Sequence, residues 1–184
     1  MRVRIRQYRT SDTDAVLEAV LESKRELTPW MSWCHADYGR ADAETWVNSR
    51  SEAWQQNQQW SFVIVDPHDK LLGTCGFHQL DLLNGNAELG YWVRTRYAGQ
   101  GVATQTIRLA CDWAFREQGL HRIEILTAIE NRASQRVAEK AGAVREAILR
   151  QRLRLGTQWH DAVLSTVLND DHPSQRDGQR CTWT

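Results

Sequence analysis

The stretch from residue 87 to residue 104, AELGYWVRTRYAGQGVAT, places the strongest constraint on the fold. Its first half is rich in the aromatic and apolar residues of a strand, and a helical pattern begins after Gly101. Gly99 and Gly101 permit backbone conformations that other residues avoid. Backbone N–H groups at a helix start have no partner within the helix, and the helix dipole favours negative charge there. The order strand, glycine loop, helix can therefore form an anion-binding loop.

Three kinds of phosphate loop contain glycines in such a place. A P-loop requires Lys and then Ser or Thr after its last glycine, where this chain has Val102 and Ala103. The dinucleotide fingerprint requires Gly or Ala at the position of Thr104, and it follows the first strand of its unit. Arg96 and the two glycines fit the third pattern, Q/R-x-x-G-x-G/A. On this fragment alone, an ordinary turn with glycines at the helix cap is an equal alternative.

Composition narrows the class of protein. A chain of 184 residues suggests one domain with a real core, and 23 Lys and Arg against 23 Asp and Glu give no support for a nucleic-acid or membrane-surface role. No apolar run approaches the roughly 20 residues that span a bilayer. The start, MRVRIRQYRTSD, lacks the apolar core of a signal peptide. We therefore expect a cytoplasmic protein.

Neither a metal site nor a disulfide framework is predicted, because the cysteines and histidines show no ligand spacing and the cytoplasm is reducing. Periodic patterns predict a mixed α/β domain over residues 1–168, with an antiparallel meander in its centre and a closing hairpin. Residues 169–184 read as a polar, flexible tail. The residues weighed as ligands are Cys34, Cys75, Cys111, Cys181, His35, His78, His121 and His160.

Two segments resemble the GNAT superfamily of acetyl-CoA-dependent N-acetyltransferases, and more narrowly its RimJ/RimL subgroup of ribosomal-protein-alanine N-acetyltransferases and their small-molecule relatives. The first segment is AELGYWVRTRYAGQGVAT, and the second, NRASQRVAEKAGA, begins 27 residues after Thr104. Two motifs at the family's separation are more specific than either alone. The second resembles the family's N-x-x-S-x-x-V-x-x-K-x-G-A helix, matched by Asn131, Ser134, Val137, Lys140, Gly142 and Ala143.

The resemblance implies a twisted, mostly antiparallel sheet flanked by helices, whose central strands ELGYWVR and RIEILTAI splay apart. The pantetheine arm of acetyl-CoA would run in the splay, and its pyrophosphate would rest on the N–H groups of the glycine loop. Coenzyme binding is thereby assigned to Trp92, Val93, Arg94, Arg96, Gly99, Gln100, Gly101, Val102, Ala103, Thr104, Asn131 and Lys140.

The resemblance also implies direct acetyl transfer to an amine. Ser134 is the candidate partner of the departing thiolate, where the family places a hydroxyl, and the alternative is a plain helix-turn serine. Glu88 is the candidate base, and the alternative is a solvated or cross-strand charge. Some subgroup members carry a carboxylate on the strand after the second helix, where RQRLRLG has none. An α-amine, with a pKa of about 7.7–8.0, would need only a weak base.

The acceptor is predicted only by class. Trp30 and Trp33 lie in the loop where the family builds its acceptor site, and the alternative is that they fill the core. Tyr91 and Trp92 must face opposite sides of their strand, and Tyr91 is assigned to the acceptor site. The acceptor is a protein N-terminus or a small amine, with no nucleic acid or membrane, and a homodimer is left open. The competing function is a coenzyme A-binding sensor or scaffold without turnover.

Overall fold

The sequence patterns fold into four α-helices and seven strands in the computed structural model, which describes residues 2–172. The predicted central antiparallel meander and the closing hairpin are both present. The elements are β1 (Arg4–Gln7), α1 (Thr13–Leu27), α2 (Arg40–Gln55), β2 (Trp60–Val65), β3 (Leu71–Asp81), β4 (Asn86–Val93), α3 (Val102–Glu117), β5 (Arg122–Ala128), α4 (Arg132–Ala141), β6 (Val144–Leu155) and β7 (Gln158–Leu168).

The sheet has the strand order β1-β2-β3-β4-β5-β7-β6. All neighbours are antiparallel except β4 and β5, which run parallel. Their register covers three pairs, from Asn86–Arg122 to Glu88–Glu124. Beyond Glu88, β4 continues beside β3 and β5 continues beside β7, so the two central strands diverge. The predicted mostly antiparallel sheet with splayed central strands is confirmed.

Alternation along the strands divides the apolar residues between two cores, because successive side chains point to opposite faces. One core lies under α3 and α4 and includes Phe62, Phe77 and Leu89. The other lies under α1 and α2 and includes Val63 and Trp92. The sheet is therefore covered on both faces, and the gap between β4 and β5 joins the two sides.

The described fold extends past the predicted domain end at residue 168. Asn169–Asp171 form a 3₁₀ turn, and His172 is buried with its ring 5.4 Å from that of Phe115. Burial lowers the pKa of His172. The remaining twelve residues of the predicted tail, with Cys181, lie outside the described residues. Within residues 2–172, no helix has the length and apolarity needed to cross a membrane, and no three side chains form a metal-binding group.

Candidate active site

A cleft of about 790 Å³ opens where β4 and β5 separate. Its lining includes side chains from both faces of the sheet, because the missing pairing beyond Glu88 leaves a passage between them. The cleft brings together seven of the predicted site residues, which are Glu88, Tyr91, Trp92, Asn131, Ser134, Trp30 and Trp33.

On the side of α3 and α4, Ser134 and Tyr91 form a hydroxyl pair. The Oη atom of Tyr91 lies 2.8 Å from Oγ of Ser134 and 3.2 Å from its carbonyl oxygen. Burial raises the pKa of Tyr91 to about 12, so the phenol keeps its proton. When Tyr91 donates to Ser134, the Ser134 hydroxyl is free to donate its own proton into the cleft.

The helix cap and the hydroxyl pair are separate features. Oδ1 of Asn131 accepts a hydrogen bond from the backbone N–H of Ser134 at 3.1 Å, so Asn131 caps α4. The side chain of Ser134 therefore contacts Tyr91 and takes no part in the cap. A capping role for Ser134, which the sequence left open, is not observed.

On the side of α1 and α2, Glu88 faces His78 across the β3–β4 pair. The Nδ1 atom of His78 lies 2.8 Å from the carbonyl oxygen of Glu88, and Nε2 lies 3.3 Å from Oε1 of the same residue. Both ring nitrogens thus face acceptors, which favours the imidazolium. The Glu88 carboxylate raises the pKa of His78, against the effect of burial. Nη2 of Arg152 lies 3.9 Å from the other carboxylate oxygen, Oε2.

The His78–Glu88 pair was missed by sequence reasoning, which weighed His78 only as a metal ligand. A bulge explains why. Asp81 pairs with Asn86, but His78 pairs with Glu88, so β3 has one extra residue here, and Gln79 takes a positive φ of 51°. The extra residue turns His78 onto the face of Glu88. The sequence contained no signal for the position of this bulge.

Two paired glycines form the surface of the cleft next to Glu88, which we call the glycine floor. Gly76 on β3 lies opposite Gly90 on β4, on the same face as His78 and Glu88. A Cβ atom at Gly90 would lie 3.7 Å from Cε1 of His78. The absence of side chains at this pair leaves room beside the carboxylate for a small group.

The glycine loop at the end of β4 has the geometry of an anion site. Gly99 and Gly101 have φ values of 75° and 78°, a conformation that favours glycine. The first backbone bond of α3 runs from Gln105 N to Gly101 O at 3.0 Å, so the N–H groups of residues 102–104 precede it. A Cβ atom at Gly99 would meet nothing within 4 Å. The loop therefore fits a diphosphate that is bound through backbone N–H groups.

The arginine side chains next to this loop are held by α1. The buried guanidinium of Arg94 contacts Glu18 at 2.6 Å and also Glu22, and Nε of Arg96 lies 2.7 Å from Oε1 of Glu22. The hydrogen bonds from Arg96 and Arg94 lower the pKa of Glu22 to about 2. Both positive charges are thus neutralised within the protein, and the loop offers backbone dipoles to a ligand.

Hydrogen bonding along β4 shows which of the other predicted coenzyme contacts have backbone groups that face the gap between β4 and β5. Arg94 N–H donates to Leu72 O at 2.8 Å, so Arg94 faces β3. In an antiparallel ladder such bonds occur at every second residue, which directs the peptide groups of Trp92 to β3 and those of Val93 into the splay. Lys140 is exposed in the last turn of α4, and Gln100 Nε2 donates to Arg96 O at 2.9 Å.

The tryptophans of the predicted acceptor loop line the cleft and also pack on its wall. The ring of Trp33 lies 6.0 Å from that of Trp92 and 5.8 Å from that of Tyr38. Trp33 remains 40% exposed, and Trp30 is half-buried. Trp92, in contrast, belongs to the core under α1 and α2, so Tyr91 and Trp92 face opposite sides as predicted.

Residues 2–144 match the family model described as acetyltransferase (GNAT) domain. The chain belongs to the GNAT acetyltransferase family. It is 31% identical over 166 residues to the probable N-acetyltransferase YjcK of Bacillus subtilis (strain 168), a match that covers 86% of this chain and 91% of that protein. It is 25% identical over 153 residues to the ribosomal-protein-serine acetyltransferase of Escherichia coli (strain K12), covering 83% and 85%.

A solved structure shows the same fold. The RimL ribosomal L7/L12 alpha-N-protein acetyltransferase in complex with coenzyme A superposes with a TM-score of 0.85 at 21% identity, covering 92% of this chain and 95% of that one. The predicted resemblance to the RimJ/RimL subgroup is confirmed, as is the predicted acetyltransferase class. Family membership favours this enzyme over a coenzyme-binding scaffold without turnover.

Proposed function

We propose that this acetyltransferase, whose acetyl donor is acetyl-CoA, acetylates the α-amine of a peptide or of an amino-acid-like molecule. One observation carries the proposal: a carboxylate and a hydroxyl pair line one cleft from opposite faces of the sheet. Glu88 lies on the side of α1 and α2, and Ser134 with Tyr91 lies on the other. The name of the Escherichia coli relative, a ribosomal-protein-serine acetyltransferase, supports a protein N-terminus as one acceptor.

The two sides match the two proton requirements of the reaction. A bond forms between the amine nitrogen and the acetyl carbon, and the thioester C–S bond breaks. Glu88 accepts a proton from the amine, directly or through a water molecule. Ser134 donates a hydrogen bond to the departing sulfur, and Tyr91 orients the Ser134 hydroxyl. Glu88 and Ser134 are thus the proposed catalytic residues, and Tyr91 is a positioning residue.

His78 is a second positioning residue in this proposal. Its two contacts with Glu88, one to the backbone and one to the side chain, hold the carboxylate beside the glycine floor. A base must lie within hydrogen-bond reach of the proton that it accepts, so the orientation of Glu88 matters as much as its charge. Trp30 and Trp33 would contact the acceptor at the mouth of the cleft.

The coenzyme is proposed to lie on the other side of the splay. The peptide groups of Val93 would pair with the pantetheine arm, and the loop from Gly99 to Thr104 would bind the pyrophosphate. Arg94 and Arg96 shape this loop through α1, and Gln100 fixes it through the Arg96 carbonyl. Asn131 caps the N-terminus of α4, which would face the pantetheine arm, and Lys140 lies in the last turn of the same helix. Cytoplasmic location and a homodimer remain predictions.

Thiol release from acetyl-CoA tests the function. The panel contains free amino acids, short peptides with a free α-amine, the same peptides with a blocked α-amine, and polyamines. Release should depend on a free α-amine, and mass spectrometry should find the acetyl group on that nitrogen. Coenzyme binding without release for any amine would support the scaffold, and release with polyamines alone would contradict the proposed acceptor class.

A further inference from the structure

Arg50 of α2 is a cation on the wall of the cleft, and within residues 2–172 its hydrogen bonds all go to uncharged groups. Nε donates to the carbonyl oxygen of Trp46 at 3.0 Å, and Nη2 donates to Oγ of Ser49 at 2.8 Å. Nη1 donates to Oε1 of Gln59 at 2.6 Å and more weakly to Oγ of Ser61 at 3.4 Å. A guanidinium has five N–H donors, so one of those on Nη2 is left over.

Three other buried or half-buried arginines in residues 2–172, Arg6, Arg94 and Arg122, have a carboxylate partner. Half-buried Arg4 instead donates to the backbone carbonyl oxygens of Asp66 and Pro67, outside the cleft. Arg50 forms no ion pair within the same residues, although its guanidinium is half-buried and lies 3.6 Å from the ring centre of Trp46. Burial lowers the pKa of Arg50. An anion gains most beside a cation that is partly removed from water and lacks a counter-charge.

The cleft itself does not supply that counter-charge. Among the residues that the structure describes, two carboxylates line it, and each already has a basic neighbour: Glu88 lies beside His78, and Asp42 lies 3.3 Å from Nε2 of His35. We therefore expect the negative charge that pairs with Arg50 to be part of the acceptor molecule.

The sheet register sets the distance between Arg50 and the proposed amine site. Ser61, which Arg50 contacts, pairs with Gly76, and Gly76 pairs with Gly90 beside Glu88. Adjacent strands are about 4.8 Å apart, so this row spans about 10 Å. An extended peptide covers about 3.3–3.6 Å per residue and reaches across the row in two to three residues.

We propose that Arg50, with Ser49 and Gln59, forms a subsite for an oxyanion of the acceptor, carried two or three residues beyond the acetylated amine. The inference rests on the proposed function, because Glu88 defines where the amine lies. The chemistry is that of a carboxylate or phosphate group, and an acidic side chain near a peptide N-terminus provides it at this distance. A free amino acid, whose carboxylate is next to its amine, does not.

Matched hexapeptides test the subsite. They share an alanine N-terminus and carry one Asp at position 2, 3 or 4, or Asn at the same place, and kcat/KM is measured for each beside free amino acids. We expect kcat/KM for the peptide with Asp at position 3 to exceed that for its Asn counterpart by about tenfold or more, because Asp would accept a charge-assisted hydrogen bond from Arg50. Arg50→Gln should bring the ratio close to one, and Arg50→Lys should keep part of it.

Arg154→Gln is the matched control, because Arg154 also lines the cleft but is exposed. It should keep the Asp preference, and thermal melting should show that all three variants fold. Three results would overturn the subsite: equal kcat/KM for the Asp and Asn peptides in the wild type, an unchanged Asp-to-Asn ratio of kcat/KM in Arg50→Gln, or loss of the Asp preference in Arg154→Gln. Acetylation of free amino acids alone would also overturn the subsite. If neither a peptide nor a free amino acid is acetylated, the proposed function fails instead, and calorimetric binding of the same Asp and Asn peptides then tests Arg50 alone.

Discussion

The arginines after β4 and the arginine on the α2 wall of the cleft differ in whether a carboxylate neutralises them. Beyond β4, Arg94 and Arg96 are neutralised by glutamates of α1, and the unpaired groups are backbone N–H donors at the start of α3. On the α2 wall, the nearby acids have basic partners, and Arg50 is the group without a counter-charge. In our proposals, the first region binds an anion through the backbone, and the second binds one through a side chain.

This difference suits two kinds of ligand, a coenzyme recognised through its phosphates and an acceptor recognised through a particular charged group. Backbone donors on a glycine loop recognise a phosphate whatever else the molecule carries, which suits a coenzyme. Side chains drawn from α2, β2, β3 and β4 can change one at a time without disturbing that loop. In the proposed mechanism, one side of the site is therefore set by the acetyl donor, and the other side can select the acceptor.

The largest effect is expected at the carboxylate between the two regions. Glu88→Gln should lower kcat/KM by about 10²–10⁴-fold, because the amide cannot accept the proton, while acetyl-CoA binding measured by calorimetry stays near that of the wild type. Arg152→Gln, which removes the more distant partner at 3.9 Å, is the control and should cost less than about tenfold. Normal turnover in Glu88→Gln would place the base elsewhere.

A smaller effect is expected from the hydroxyl pair, and the structure now separates it from the helix cap. Ser134→Ala should lower kcat by about 10²-fold with little change in thermal stability, because its hydroxyl contacts Tyr91. Asn131→Ala should instead cost about 1 kcal/mol of stability, because Asn131 is the cap. Reversed results, with stability lost in Ser134→Ala and kcat retained, would remove Ser134 from the mechanism.

The backbone character of the coenzyme loop is tested by two glycines with the same strain. Gly101 and Gly119 have φ values of 78° and 65°, so alanine at either should cost about 1 kcal/mol of stability. Acetyl-CoA should raise the melting temperature of Gly119→Ala as it does that of the wild type, by mass action. The rise should be much smaller in Gly101→Ala. Equal rises in both variants would move the coenzyme away from this loop.

The smallest effect concerns the glutamates that neutralise the loop arginines. The folded-state pKa of Glu22, about 2, lies below its ordinary value of about 4.5, so its pairing stabilises the fold above pH 4.5 and is lost as the pH falls towards 2. Because this pair is close to solvent, we expect at most about 1 kcal/mol. Urea unfolding of Glu22→Gln should show a weaker pH dependence in this window. Glu26→Gln, one turn further along α1, should match the wild type.

The sequence by itself determined the elements that are proposed to bind the coenzyme. The strand ending at Val93, the glycines at 99 and 101 and the helix that follows are contiguous, and each conformation depends on residues within one turn. The second motif and the cap at Asn131 are equally local. Periodicity and glycine placement are therefore sufficient to predict these elements, and the resemblance to the GNAT superfamily favoured an anion-binding loop over an ordinary turn.

Only the tertiary structure decided which charges meet. Arg94 and Arg96 were predicted as coenzyme ligands, but Glu22, more than 70 positions earlier, holds both side chains. His78 reaches Glu88 only because one extra residue in β3 reverses the direction of its side chain. Arg50 contacts the uncharged side chains of Gln59 and Ser61, and it forms no ion pair within residues 2–172. Backbone conformation is set within a few residues, but the energy of a charge depends on its neighbours in space, which only the assembled sheet and helices define.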